Sequence, residues 1–376
     1  MRDSGVDLLF DIRHIDQSGI GTYIRTHLPV LEKSMNDRNL VLAVLADETS
    51  MPAVQQHTRV ILGDPANAPM YSLREQRTWA KALRTARPAA VWLPHYPYAL
   101  ALLGPKYRRV DTFVTVHDAI HLLEPAISDQ SMARRMYART MLTLDALRCT
   151  RILTPSQATA DELLGITPGA KVTVTPIPVD EVWFGAVDTT LSPAAQPYLL
   201  YVGNVKRHKN IGVLFDAFSE ISGDIPHTLV VAGGGASLRT QDRDVERLVD
   251  ALGDRVQLTG RLEFEALRAL VAGADLLIMP SLHEGAGLPP LEAMASRTAV
   301  LASAIPALRE TCGDGAAYFD PHDHLELAGL IEKFCRDGDA REALAERGYA
   351  HVVRRQSEIV PTATANLICT ALEDNQ

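Results

Sequence analysis

The sequence predicts two doubly wound α/β domains, each a parallel sheet with helices on both faces. Three observations carry that expectation. Short apolar runs alternate with longer helical patterns along the whole chain. The runs are almost uninterrupted by polar residues, which marks strands buried on both faces. The rhythm pauses once, over residues 184–196 (FGAVDTTLSPAAQ), a small, polar, Pro-containing stretch without periodicity that reads as a linker.

The strands expected in the first half are residues 7–11 (DLLFD), 40–46 (LVLAVLA), 59–62, 90–94 (AVWLP), 112–117 (TFVTVH), 151–154 and 171–175. In the second half they are 198–203 (YLLYVG), 228–232 (TLVVA), 256–259, 275–279 (DLLIM), 299–302 and 316–319. Strands separated by helical segments are βαβ units, whose crossovers are right-handed by default. The expected domains are 1–188 and 189–376, with the last helical segment, about 356–376, packing back on the first. Each doubly wound sheet offers a ligand crevice at the carboxyl ends of its strands.

Composition narrows the function classes. The 376 residues are 47% hydrophobic and 22% charged, which suits a soluble globular protein. A net charge of -9 argues against a nucleic-acid binder, whose footprint is basic. Cys149, Cys312, Cys335 and Cys369 form no CxxC-type pair, so neither a zinc site nor a disulfide framework is indicated, and a reducing cytoplasm is expected. The first residues carry no apolar signal-peptide core, and no apolar stretch is long enough to span a bilayer. The charge is uneven: residues 74–151 hold 13 basic and six acidic side chains, a local net of +7.

Two loops could hold phosphate. After the first strand comes Ser18-Gly19-Ile20-Gly21-Thr22-Tyr23, then a helical pattern. Glycines between a strand and a helix allow backbone N–H groups to approach an anion at the helix start. The third glycine of the dinucleotide fingerprint is missing, so Gly19 and Gly21 are either a steric turn or a phosphate contact. The second loop is Ser281-Leu282-His283-Glu284-Gly285-Ala286-Gly287-Leu288-Pro289-Pro290-Leu291-Glu292. Pro289 and Pro290 fit a first helical turn, where a missing N–H does no harm. Glu284 lies in the loop and Glu292 about one turn into the helix. Carboxylates there suit a polyhydroxyl ligand, since each accepts hydrogen bonds from neighbouring hydroxyls. Glu292 also fits as an ordinary acidic residue near a helix start.

The E-x7-E run EGAGLPPLEAMA resembles the family 4 glycosyltransferases of the GT-B fold, two Rossmann-like domains facing across a cleft. Other segments agree in order: SGIGTY at 18–23, VHD at 116–118, LTPSQATA at 153–160, VTVTPIPVD at 172–180 and YVGNVKRHKN at 201–210. The resemblance implies an enzyme: a retaining hexosyltransferase that moves sugar from a nucleoside-diphosphate sugar, GDP-mannose or a UDP-hexose, to a glycan, lipid-linked or small-molecule hydroxyl. It implies that Glu284 contacts the transferred sugar and Glu292 the ribose. The amides of Gly285, Ala286, Gly287 and Leu288 would face sugar and phosphates, with Ala286 where the family carries Phe. Lys209 matches the diphosphate-neutralising lysine. The family's arginine is replaced by Asn204 or His208, which leaves Lys206 or Arg207 to compensate. His117 matches the histidine that contacts the donor sugar.

No cofactor and no metal are expected. The triplet Asp242-Arg243-Asp244 sits in a helical pattern and reads as a solvated face, and Gly233-Gly234-Gly235 reads as a tight strand exit. Arg74, Arg77, Lys81, Arg84 and Arg87 recur at helical spacing opposite Trp79 and Leu83. With Lys106, Arg108, Arg109, Arg134, Arg135 and Arg139 they suggest either a solvated face or peripheral contact of residues 74–139 with an anionic inner membrane face. The alternative to an enzyme is a degenerate, non-catalytic sugar-nucleotide-binding or scaffold subunit. A sugar-nucleotide epimerase lacks the EGxGLPxLEA loop, and a dehydrogenase would need the missing fingerprint.

Overall fold

The computed structural model describes all residues except 1–4, 18, 123–126, 128–129, 234–242 and 375–376. The chain divides into two compact units. The first comprises Met1–Leu122, Gln130–Pro178 and Val360–Gln376; the second is built on Val179–Ile359.

Among its described residues the first unit carries seven parallel strands: β1 (Leu8–Asp11), β2 (Leu42–Ala46), β3 (Arg59–Leu62), β4 (Ala90–Leu93), β5 (Asp111–Thr115), β6 (Arg151–Thr154) and β7 (Val172–Val174). Their order is β3-β2-β1-β4-β5-β6-β7. Leu8 is in register with Leu42 on one side and Ala90 on the other, so the sheet grows outward both ways from β1 and β4. The register sets Phe10 beside Trp92, whose rings stack 4.3 Å apart in the core. The Trp92 indole donates to Thr115 Oγ1 at 3.0 Å, so its polar edge is satisfied although fully buried.

Helix Leu73–Ala86 begins at Ser72, whose hydroxyl accepts the Glu75 N–H at 3.1 Å. It buries Trp79 and Leu83 and exposes Arg74, Arg77, Lys81 and Arg84, the two faces its spacing predicts. Arg87 does not extend that row: it closes the helix in the left-handed region at φ 45°. Helix Ala363–Asp374 belongs to this unit and packs on helix Ile20–Asp37, with Cys369 Sγ 3.5 Å from Met35 Sδ and Arg38 donating to Asn366 Oδ1 at 2.9 Å.

Among its described residues the second unit has six parallel strands: β8 (Tyr198–Val202), β9 (Thr228–Ala232), β10 (Val256–Gly260), β11 (Leu276–Met279), β12 (Ala299–Ser303) and β13 (Ala317–Phe319). The order is β10-β9-β8-β11-β12-β13. One face is covered by Phe215 and Phe218 with Leu327, Ile331 and Phe334, the other by Leu270, Leu291, Met294 and Val352. Two buried layers on one sheet explain why its strands read as unbroken apolar runs.

The unit transition falls at Pro178–Val179, and the aperiodic stretch 184–196 is fixed to the second unit. Trp183 is buried against Phe264, and Arg268 donates to the carbonyls of Val182 at 2.6 Å and Ala186 at 3.5 Å. Irregular backbone held by side-chain donors carries no periodic signal, which is why it reads as a linker. No helix among the described residues is long and apolar enough to cross a membrane.

Candidate active site

Strands β8 and β11 are neighbours, and there the strand order of the second sheet reverses. Loops leaving two such strands part in opposite directions and leave a crevice at their carboxyl ends. The loop after β8 ends in a turn, Arg207–Lys209, closed by Asn210 at φ 53°. Asparagine tolerates that left-handed backbone, and its amide ties the loop down by donating to Pro280 O at 3.0 Å and Pro321 O at 2.7 Å. The Leu282 N–H donates to His208 O at 2.8 Å and joins the loop after β11 to the first.

These bonds bring Lys209 and Glu284 together. Lys209 Nζ lies 2.7 Å from Glu284 Oε1, which also accepts Ser281 Oγ at 2.6 Å. Their side chains are 17% and 9% exposed, enough to reach a ligand without full hydration. Lysine has three N–H donors, and one is committed to Glu284. Lys206 and Arg207 are exposed, and among the described residues only Lys209 pairs with Glu284.

Gly287 initiates helix Leu288–Ala295 at φ 59°. A β-carbon there would lie 2.7 Å from Leu308 Cδ2, so backbone and space both demand glycine. Thr311 donates to Ala286 O at 3.0 Å and fixes the loop at the position where Ala286 stands in place of a larger residue. Pro289 lies within the first two positions of the helix, as its missing N–H allows. Pro289 and Pro290 carry no N–H, so of the first three helical residues Leu288 alone offers an amide to an anion. Glu292, one turn on, is half-buried, and its carboxyl is pushed up to about 7 by burial and then by Asp180. It forms no ion pair among the described residues; an acid held near neutrality can accept or donate a hydroxyl's hydrogen bond.

In the first unit the two early glycines have different reasons. Gly19 has φ 73° and nothing within 4 Å of where a β-carbon would stand. Gly21 would place a β-carbon 2.3 Å from Ile15 O, so it is required for packing. His117 follows β5, donates Nε2–H to Pro94 O at 2.8 Å and packs edge-on to Tyr23 at 4.9 Å. Burial lowers its pKa, leaving a neutral ring whose Nδ1 is an acceptor. Asp118 caps the next turn, accepting Ile120 N–H at 3.1 Å with one of its two oxygens. Arg261 is exposed just beyond β10. Gly233 takes φ 106°, with a would-be β-carbon 2.4 Å from Gly203 O, a close strand exit; Gly234, Gly235 and Asp242 lie outside the described residues, as do Ser18 and the Asp244 side chain.

Sequence reasoning missed a buried polar cluster at the strand reversal of the first sheet. Arg13 clasps Asp11 through Nε (2.9 Å) and Nη2 (2.6 Å), and both side chains are fully buried. Burial alone would raise the Asp11 carboxyl, but the Arg13 charge and hydrogen bonds bring it down to about 2. Glu75 lies 3.8 Å from Arg13 and accepts His95 Nε2–H at 2.9 Å. Asp11, His14 and His95 each place a possible metal-ligand atom within 4.8 Å of the others, although both Asp11 oxygens already serve Arg13. The readable signal was Asp11-Ile12-Arg13 at a strand exit and the capping pattern Ser72-x-x-Glu75.

Two doubly wound sheets, with a cation and a carboxylate set together where the second one reverses, define the class of the GT-B glycosyltransferases. Comparison with known proteins agrees. The model described as Glycosyltransferase Family 4 matches residues 18–182, and that described as Glycosyl transferases group 1 matches 188–351. The chain belongs to glycosyltransferase family 4. It is 31% identical over 232 residues to the O-antigen chain mannosyltransferase RfbU of Salmonella typhimurium, a match covering 60% of this chain and 62% of that relative, so it spans about three fifths of that relative's length. Among solved structures, sucrose-phosphate synthase from Thermosynechococcus elongatus superposes with a TM-score of 0.75 at 20% identity, covering 98% of each chain. Anabaena HepE in complex with UDP and glucose superposes with 0.71 at 18% identity, over 98% of this chain and all of that one.

Proposed function

We propose that this protein is a retaining hexosyltransferase that takes a sugar from a nucleoside diphosphate and passes it to a hydroxyl acceptor. The observation that carries the reading is the Lys209–Glu284 pair at the strand reversal, beside the Gly287–Leu288 helix start. A leaving diphosphate gains negative charge as the glycosidic bond breaks. A fixed ammonium and the Leu288 amide at the helix start stabilise that state more than the ground state. Glu284 holds Lys209 in place and accepts sugar hydroxyls, and Glu292 takes the ribose. Lys206 and Arg207, exposed beside Lys209, supply further charge to the phosphates. The amides of Gly285, Ala286 and Leu288 line the donor, and Gly19 admits a phosphate or sugar close to backbone in the first unit.

His117, neutral with Nδ1 as acceptor, receives a donor-sugar hydroxyl. The phosphate oxygen freed on departure takes the proton of the incoming hydroxyl on the same face, which retains the anomeric configuration without a covalent nucleophile. Phosphate charge is met by lysine and amides, so turnover needs no added metal or cofactor.

GDP-mannose is the first donor to test, because the RfbU relative is named a mannosyltransferase; UDP-hexoses are the second. A thermal-shift panel of sugar nucleotides decides between them. At 100 times Kd a bound donor stabilises by about 2.7 kcal/mol, and a panel with no shift would overturn the donor site.

The acceptor is a glycan or lipid-linked hydroxyl, met at the cytoplasmic membrane face. Supporting this, helix Met132–Arg148 exposes Met132 (68%), Met136 (59%) and Leu147 (73%) beside exposed Arg134 and Arg139. Apolar side chains flanked by arginines suit an anionic lipid surface. Co-sedimentation with anionic vesicles, lost at high salt, tests it.

A further inference from the structure

Three rings of the first unit gather around one exposed tyrosine. Tyr71 lies 5.6 Å from Tyr96, 5.8 Å from His121 and 6.4 Å from Tyr137, centroid to centroid, and Tyr96 lies 5.7 Å from His121. Such separations are those of favourable tilted and edge-on aromatic pairs. Tyr96 is buried at 8% exposure, whereas Tyr71 keeps 41% of its surface open.

The backbone at Tyr71 is unusual. Its φ is 64°, a region a bulky L-residue rarely enters and one that costs on the order of 1 kcal/mol or more. It is held there from below: its N–H donates to Glu75 Oε2 at 2.7 Å, and Glu75 Oε1 accepts His95 Nε2–H at 2.9 Å. The buried cluster around Arg13 thereby fixes Glu75, Glu75 fixes the Tyr71 backbone, and the three rings fix its side chain. An exposed ring held this firmly has lost little freedom still to lose on binding.

The surroundings select the ligand. Asp118 is close enough for its charge to act on the hydroxyls of Tyr71 and Tyr96. One Asp118 oxygen caps Ile120, and the other can accept a hydroxyl. A flat aromatic face meets the C–H face of a pyranose, and a carboxylate at its edge takes the equatorial hydroxyls. Aromatic rings near a carboxylate also suit a cation. The net charge of +7 over residues 74–151 opposes that, leaving a neutral or acidic saccharide.

We propose that Tyr71, backed by Tyr96, Tyr137 and His121, is a stacking platform for one sugar ring of the acceptor, with Asp118 receiving a hydroxyl of that ring. The proposal rests on the transferase reading for the word acceptor, and on the ring cluster alone for saccharide binding.

Tyr71→Gly removes the ring while suiting the left-handed backbone, so the variant keeps its fold. With the donor chosen by thermal shift and an α-linked mannobioside as acceptor, Tyr71→Gly raises the acceptor KM at least tenfold. Donor KM and the slow acceptor-free hydrolysis of the donor stay within twofold, and Tyr71→Trp restores most of the acceptor affinity. An unchanged acceptor KM in folded Tyr71→Gly overturns the platform. Should the wild-type protein neither hydrolyse nor be stabilised by any sugar nucleotide, the transferase reading has failed by itself. The platform is then judged by saturation-transfer NMR: mannobioside signals present in wild type and absent in Tyr71→Gly uphold it. Signals equal in both proteins, or binding of glucosamine without binding of mannobioside, overturn it.

Discussion

The two units share one strand order over six strands and set an acid–base pair at the same topological place, yet the pairs differ in access and origin. Arg13 and Asp11 stand two residues apart at a single strand exit, and neither side chain is exposed. Lys209 and Glu284 are 75 residues apart, meet only because β8 and β11 are neighbours, and stay 17% and 9% exposed. The first pair is a planar fork matched to a carboxylate, suited to fixing backbone; the second ends in a point charge with donors to spare. A sealed pair is a brace, and a part-open one is a tool.

The largest expected effect breaks the brace. Arg13→Ala leaves Asp11 buried and uncompensated and should cost about 3–5 kcal/mol in urea unfolding. A loss under about 1 kcal/mol would mean the pair is not a brace. On the other side, Lys209→Ala should lower donor turnover about 10²- to 10³-fold while the urea midpoint stays close to wild type. A large stability loss with turnover intact would exchange the two roles.

A smaller effect is read against pH. The folded pKa of Glu292 is about 7, above its ordinary 4.5, so its contribution to stability is complete below 4.5 and lost as pH rises through 7. Glu292→Gln removes this loss. The variant should gain about 2 kcal/mol on wild type between pH 5 and 8 in urea titrations, while nucleotide binding weakens. A pH-independent difference would sink the assignment. Smallest is the contrast of two helix-start glycines: Gly19→Ala, in open space, should cost about 1 kcal/mol, from backbone alone. Gly287→Ala, which also meets Leu308, should cost more, as paired thermal melts would show.

The glycines and prolines of 285–290 were legible because such residues serve few backbone geometries. Lys209 and Glu284 were legible as residue types, through the resemblance. Their hydrogen bond was not, because it is made by strand neighbours far apart in sequence. Asp11, Glu75 and His95 escaped notice for a related reason: a buried charge looks like a surface charge until its partners are placed. Residues 184–196 misled, since Arg268 and Trp183 hold them without periodicity.

By itself the sequence determined the thirteen strands of the described residues, their parallel pairing through helical crossovers, and the loops able to carry phosphate chemistry. These follow from local patterning, which acts over a few residues. Tertiary structure alone decided which charges are sealed and which are reachable, and that Tyr71 is held exposed against three other rings. Burial and long-range pairing depend on strand order, and no stretch of chain contains its own neighbours.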